Sequence, residues 1–229
     1  QQVKMKGVCI HHDAGCLGAA VPIRALQRRL EVLKSIGCNA IRTSHNPPAP
    51  ELLDLCDRMG FVVIDEMYDK WGAPYGRWFS EWWRQDLGDM LKRDRNHPSI
   101  VLWSVGNEVE HQGTPEFKQT LKTLVDFVHE KEPTRAVTCG LRPQKFVSHQ
   151  DNAAAITEIA KLMDVVSCNY QEQWFEDYRQ ADPNIIIIAS ENLTKQNFFT
   201  IFNNELFRPV LCAQVDSFIA KACTDHGRN

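Results

Sequence analysis

The sequence predicts an α/β protein, a (β/α)8 TIM-type barrel whose eighth strand is divergent. Three observations point there. Short apolar runs alternate with longer amphipathic stretches along most of the chain. Nearly every run ends in polar or charged residues, as barrel strands do at their carboxyl ends. The first run leads into His11-His12-Asp13-Ala14-Gly15-Cys16. That is no Gly-rich phosphate loop, so the rival open doubly wound sheet lacks its usual mark.

The strand candidates are residues 5–10, 38–42, 61–65, 100–106, 136–139, 165–168 and 185–190. Between the first two, Ile23, Leu26, Leu30 and Leu33 share one helical face, with Pro22 near the first turn and Gly37 beyond the end. Leu52, Leu55, Cys56 and Met59 form the next face, stopped by Gly60. Thr114-Pro115 is a cap and first-turn pair ahead of Phe117, Leu121, Leu124 and Val128. Ile156, Ile159 and Met163 mark a further helix. Seven strand–helix units in about 190 residues fit a barrel better than an open sheet. Residues 192–229 should then hold the seventh helix and eighth strand, but no segment there reads clearly as a strand. No linker breaks the pattern, so residues 1–229 read as one barrel domain.

A chain of 229 residues can bury a full core. Its 26 basic and 29 acidic side chains leave a net charge of −3, without a basic patch for nucleic acid or an anionic membrane. No apolar run approaches the roughly 20 residues that span a bilayer. The opening Gln1-Gln2-Val3-Lys4-Met5-Lys6 is not a signal peptide. With no initiator Met, the chain reads as an excised domain whose targeting information lies elsewhere. None of the eight Cys sits in a Cys-x-x-Cys pair, so buried free thiols are expected, not disulfides or zinc.

The chemistry is expected at the strand ends. Ser99-Ile100-Val101-Leu102-Trp103-Ser104-Val105-Gly106-Asn107-Glu108 is an apolar run that stops at an amide and a carboxylate. The run ending Ile188-Ala189-Ser190 is followed by Glu191. Two strand-end carboxylates supply what glycoside hydrolysis needs: an acid for the leaving oxygen and a second carboxylate at the anomeric carbon. Other strand ends contribute His12 and Asp13, Arg42 and His45, Asp65 with Trp71 beyond it, and Asn169-Tyr170 with Trp174 beyond. Arg42 would favour an ionised nucleophile and Tyr170 would donate a hydrogen bond to it. Asn107 suits a sugar hydroxyl, and Trp71 and Trp174 suit a sugar's apolar face; ordinary packing is the alternative for each Trp.

Four ordered segments carry a specific resemblance. They are Gly7-Val8-Cys9-Ile10-His11-His12-Asp13, Asn39-Ala40-Ile41-Arg42-Thr43-Ser44-His45-Asn46-Pro47-Pro48, the stretch from Leu55 to Asp65-Glu66, and the stretch from Arg95-Asn96-His97-Pro98 to Asn107-Glu108. Together they resemble glycoside hydrolase family 2, which holds β-galactosidases, β-glucuronidases and β-mannosidases, over residues 4–191. The resemblance implies a catalytic (β/α)8 barrel, a retaining mechanism and an exo-acting site. It makes Glu108 the acid/base and Glu191 the nucleophile. It also places Asn107 at the sugar 2-hydroxyl, His45 at the sugar and Tyr170 against the nucleophile. The chain departs from the family in residues 192–229 and lacks the upstream jelly-roll and immunoglobulin-like domains. Where magnesium-dependent members carry Glu-x-His, it reads Asp69-Lys70-Trp71, so neither metal nor cofactor is expected. Asn192-Leu193-Thr194 has the form of a glycosylation sequon, but a glycan there would block the site, so it is read as chance.

The favoured activity is therefore a retaining exo-β-glycosidase, a β-galactosidase before a β-glucuronidase or β-mannosidase. A carbohydrate is the one partner implied, and the address expected is the cytoplasm or periplasm of a bacterium. The competing reading is a non-catalytic carbohydrate-binding remnant. A metal-dependent barrel hydrolase built on His11-His12 ranks last, because neighbouring strand residues face opposite sides. Oligomeric state has no signal in the sequence.

Overall fold

A computed structural model describes residues 4–72, 74, 76–143 and 149–191. The seven apolar runs all become strands: β1 (Gly7–His11), β2 (Ala40–Ser44), β3 (Val62–Glu66), β4 (Ile100–Asn107), β5 (Ala136–Leu141), β6 (Val166–Asn169) and β7 (Ile187–Glu191). They form one parallel sheet in chain order. The sheet curls until its two ends meet. The Cys9 thiol of β1 donates to the Ser190 carbonyl of β7 at 3.3 Å. This is the curvature of a β/α barrel. The tail expected to carry the eighth strand lies outside the described residues.

Helices α1 (Ile23–Ser35), α2 (Pro50–Met59), α3 (Phe79–Asp94), α4 (Pro115–Lys131), α5 (His149–Ala160) and α6 (Phe175–Ala181) follow the strands. In α1, Leu26, Leu30 and Leu33 are buried, while Ile23 at its start is exposed and Pro22 sits at the cap itself. Gly60 ends α2 in the left-handed conformation, at φ 73°. The Thr114 hydroxyl caps α4 by accepting the Phe117 N–H at 3.2 Å. Two helices, α3 and α6, have no clear sequence stripe. The first turns of α3 hold exposed Trp82 and half-buried Trp83, and its buried face gathers only later, at Leu87, Met90 and Leu91.

The core has two layers. Val8, Ile41, Val63, Trp103 and Val137 belong to the large cluster between sheet and helices. Ile64, Leu102 and Ile188, from strands that are not all neighbours, form a small separate cluster inside the curl. Each such buried side chain contributes roughly 1.5–3 kcal/mol. Two residues further along, on the same inward face, stand Glu66 and Ser104. The interior thus changes from apolar to polar toward the carboxyl ends of the strands. The described cysteines are free thiols; five of them are buried and Cys16 is exposed. No described helix is long and apolar enough to cross a membrane.

Candidate active site

Arg42 on β2 is the centre of the polar layer. Its Nε and Nη2 donate to Glu66 Oε2 at 2.9 and 2.7 Å. Nη2 also reaches Asn107 Oδ1 at 2.8 Å, and Nη1 reaches Glu191 Oε2 at 3.2 Å. Burial disfavours the guanidinium, but Glu66, Cys9 and Glu191 reverse this and hold its pKa well above the ordinary arginine value. Burial likewise opposes ionisation of Glu66; Arg42, His45 and Ser104 overcome it and keep the carboxyl below its ordinary range. An ionised Glu66 only accepts, so His45 Nδ1, 2.7 Å from Glu66 Oε1, carries a proton. The other ring nitrogen then faces Asn107 Nδ2 at 3.4 Å and Glu191 Oε2 at 3.9 Å.

The two strand-end glutamates meet at one amide. Asn169 Nδ2 lies 3.1 Å from Glu108 Oε1 and 3.3 Å from Glu191 Oε2. The sum of those distances caps the separation of the two oxygens below the roughly 6.5 Å at which inverting pairs begin. Glu191 also accepts from the Tyr170 hydroxyl at 2.8 Å. Burial and the adjoining Glu191 raise the Tyr170 phenol, so it remains a donor at working pH. Glu108 and Tyr170 both hold left-handed backbone, at φ 44° and 57°. Non-glycine residues rarely take that conformation, and it is concentrated at functional sites.

Strict alternation from the inward Leu102 and Ile188 would send Asn107 and Glu191 outward. The register of β4 against β5 shifts between Ser104 and Asn107, and that of β6 against β7 shifts before Asn169 and Glu191. Those irregularities turn both side chains inward. Gly140 on β5 makes room for the result. A Cβ there would stand 3.0 Å from Asn107 Oδ1 and 3.1 Å from Arg42 Nη2.

The structure thus brings Arg42, His45, Asn107, Glu108, Tyr170 and Glu191 together. Other expected site residues stand apart from them. Asp65 is fully buried, its carboxyl bonded to Thr43 Oγ1 at 3.2 Å, on the face opposite Glu66. Trp71 donates its indole N–H to Val105 O at 2.8 Å and stacks on Phe117 at 5.2 Å, so it packs beneath the loop. Trp174 packs against the main core. His12 contacts the Ala19 carbonyl at 3.1 Å, and Asp13 accepts the Gly15 N–H at 3.1 Å, both within their own loop. His11 instead meets the His45 ring edge-on at 5.2 Å.

Asp69, Lys70 and Ser104 carry no site signal in the sequence; Glu66 and Asn169 stand at strand ends there without an assigned role. For Asn169 a signal existed, since it closes its strand as Asn107 closes another. A cavity of about 750 Å³ opens from His45 and Asp69 toward Trp78 and Trp82. Among the described residues, Asp54, Asp57 and His97 could hold a metal, but His97 precedes β4, at the far end of the sheet. Asp57 there already binds His97 at 2.6 Å and the Ser99 N–H at 2.9 Å.

Comparison with known proteins agrees with this geometry. The family described as "Glycosyl hydrolases family 2, TIM barrel domain" matches residues 1–72 and 76–213. A beta-galactosidase of Bacteroides ovatus is 43% identical over 246 residues, covering 90% of this chain and 28% of that protein. A beta-glucuronidase of Canis lupus familiaris is 33% identical over 188 residues, covering 81% of this chain and 27% of that protein. The crystal structure of a glycosyl hydrolase family 2 member from Bacteroides cellulosilyticus superposes with a TM-score of 0.77 at 40% identity, over 87% of this chain and 26% of that one. The chain therefore spans little more than a quarter of each relative's length. Fold, strand-end chemistry and similarity converge on one conclusion: this chain belongs to glycosyl hydrolase family 2 and forms part of its TIM barrel domain.

Proposed function

We propose that the protein is a retaining exo-β-glycosidase, with Glu108 as acid/base and Glu191 as nucleophile. The observation that carries this reading is the single Asn169 amide within 3.3 Å of both carboxylates. A separation bounded in this way suits the direct attack of a retaining pair better than the wider spacing that admits the water of an inverting enzyme.

Glu108 gives its proton to the glycosidic oxygen as the bond from that oxygen to C1 breaks. Glu191 attacks C1 from the opposite face, and the alcohol departs. Glu108, now a carboxylate, takes a proton from water as that water's oxygen attacks C1 and releases Glu191. Arg42, Tyr170 and Asn169 present donors to Glu191, an arrangement suited to an anionic nucleophile. The His45 ring borders the cavity beside the cluster, where sugar hydroxyls would lie.

For the sugar we infer a β-galactoside. The similarity to the Bacteroides ovatus beta-galactosidase, higher in identity and coverage than that to the beta-glucuronidase, supports this choice. A panel of p-nitrophenyl glycosides on the full-length protein tests it, and turnover of the glucuronide alone would reverse it. Glu191→Gln should abolish covalent labelling by a 2-fluoro glycoside. Glu108→Gln should cut hydrolysis of poor leaving groups by about 10²-fold or more. Full activity in both variants would refute the assignment.

A further inference from the structure

β4 ends at Asn107, where the register against β5 breaks after Ser104 and pairing resumes at Asn107 opposite Gly140, with Glu108 next along the chain. The loop after β3 adds further bonds to this strand end. The Asn107 backbone N–H donates to the Asp69 carbonyl at 2.9 Å. Its side-chain Nδ2 donates to Asp69 Oδ1 at 3.0 Å. Its carbonyl accepts from Lys70 Nζ at 3.0 Å, and Lys70 Nζ is itself anchored on Asp69 Oδ1 at 2.6 Å. On the other side of the same peptide, the Glu108 N–H donates to the Gly140 carbonyl at 2.8 Å.

We propose that Asp69 and Lys70 are positioning residues: a loop clamp that fixes the Asn107–Glu108 peptide and so aims the proton donor. The inference rests on Glu108 being the acid/base, as argued above. Two consequences follow from the bonds. The Asn107 amide has one orientation available, because Oδ1 faces the donors Arg42 and Asn169 while Nδ2 faces the acceptor Asp69. The peptide before Glu108 is gripped at both its C=O and its N–H, so the left-handed backbone of Glu108 cannot relax by a peptide flip. Lys70 is only 17% exposed and Asp69 35%, so the pair is sheltered and screened less than a surface pair. Asp69 and Lys70 bond to Asn107 itself, and through it they act on Glu108.

A clamp on the proton donor has a kinetic signature that a general structural role lacks. Protonation matters when the leaving group is a sugar or an alkyl alcohol, and little when it is 2,4-dinitrophenolate. In the full-length protein, Lys70→Met should lower kcat/KM for lactose or methyl β-galactoside by about tenfold to a hundredfold, within the range general acids contribute. The same variant should change kcat/KM for 2,4-dinitrophenyl β-galactoside by less than about threefold. Lys70→Arg, which keeps a cation in reach of the Asn107 carbonyl, should recover part of the loss. Asp69→Asn should show the same dependence on leaving group, since it loses the charged anchor for Lys70.

Equal losses on both classes of substrate, or no loss on either, would overturn the clamp. Glu108→Gln serves as the reference and must show the strong dependence itself. If it does and Lys70→Met does not, the clamp alone fails. If Glu108→Gln shows none, the acid assignment fails and the clamp with it. Should Lys70→Met not fold, Lys70→Arg and Asp69→Asn decide by the same comparison.

Discussion

Asp65 and Glu66 are consecutive, fully buried carboxyls with opposite fates. Glu66 faces Arg42 and stays ionised. Asp65 faces α3, where burial and the carboxyl of Asp94 push its pKa well above the ordinary aspartate value. Arg93 binds both Asp94 oxygens at 2.6 Å, and beside that carboxyl the proton stays on Asp65. Stability from that bound proton is complete below the ordinary aspartate range and drains as pH rises toward the raised value of Asp65. Asp65→Asn cannot lose a proton. It should therefore flatten the fall of melting temperature with rising pH, measured by thermal scans of both proteins. Glu66 behaves inversely: its contribution holds above the ordinary glutamate range and fades in acid. Glu66→Leu should destabilise by about 3–5 kcal/mol, because it leaves the Arg42 charge buried with less compensation; chemical denaturation measures this. Sequence reading took Asp65 as the substrate-facing residue. The error is physical, since a one-residue slip in register exchanges the two faces of a strand and both neighbours are acidic.

At the scale of elements, the seven strands were legible because an apolar run between polar strand ends is a strong signal. The helices α1, α2 and α4 were legible from stripes and caps. Helix α3 was not, because exposed tryptophan occupies an early turn where a polar face is expected. The register shifts that aim Asn107 and Glu191 were equally invisible, since they depend on what the neighbouring strand does. Gly140→Ala probes this level. Its Cβ would press on Asn107 and Arg42 together, and kcat/KM should fall about tenfold for a displacement of only a fraction of an ångström. Thr114→Ala removes the α4 cap and should cost about 1 kcal/mol in chemical denaturation.

For the whole molecule, the barrel carries the polar cluster at the carboxyl ends of its strands, and the chain spans little more than a quarter of the length of its relatives. A cavity runs from His45 and Asp69 to Trp78 and Trp82. That geometry arises from loops, whose conformations no periodicity announces, whereas the paired glutamates arise from strands and were visible at once. The left-handed backbone at Glu108 has an evolutionary side. A non-glycine residue there costs the fold about 1–2 kcal/mol, which glycine would return. A selection that rewarded melting temperature alone would therefore favour losing the side chain to which the proposed mechanism assigns the proton transfer.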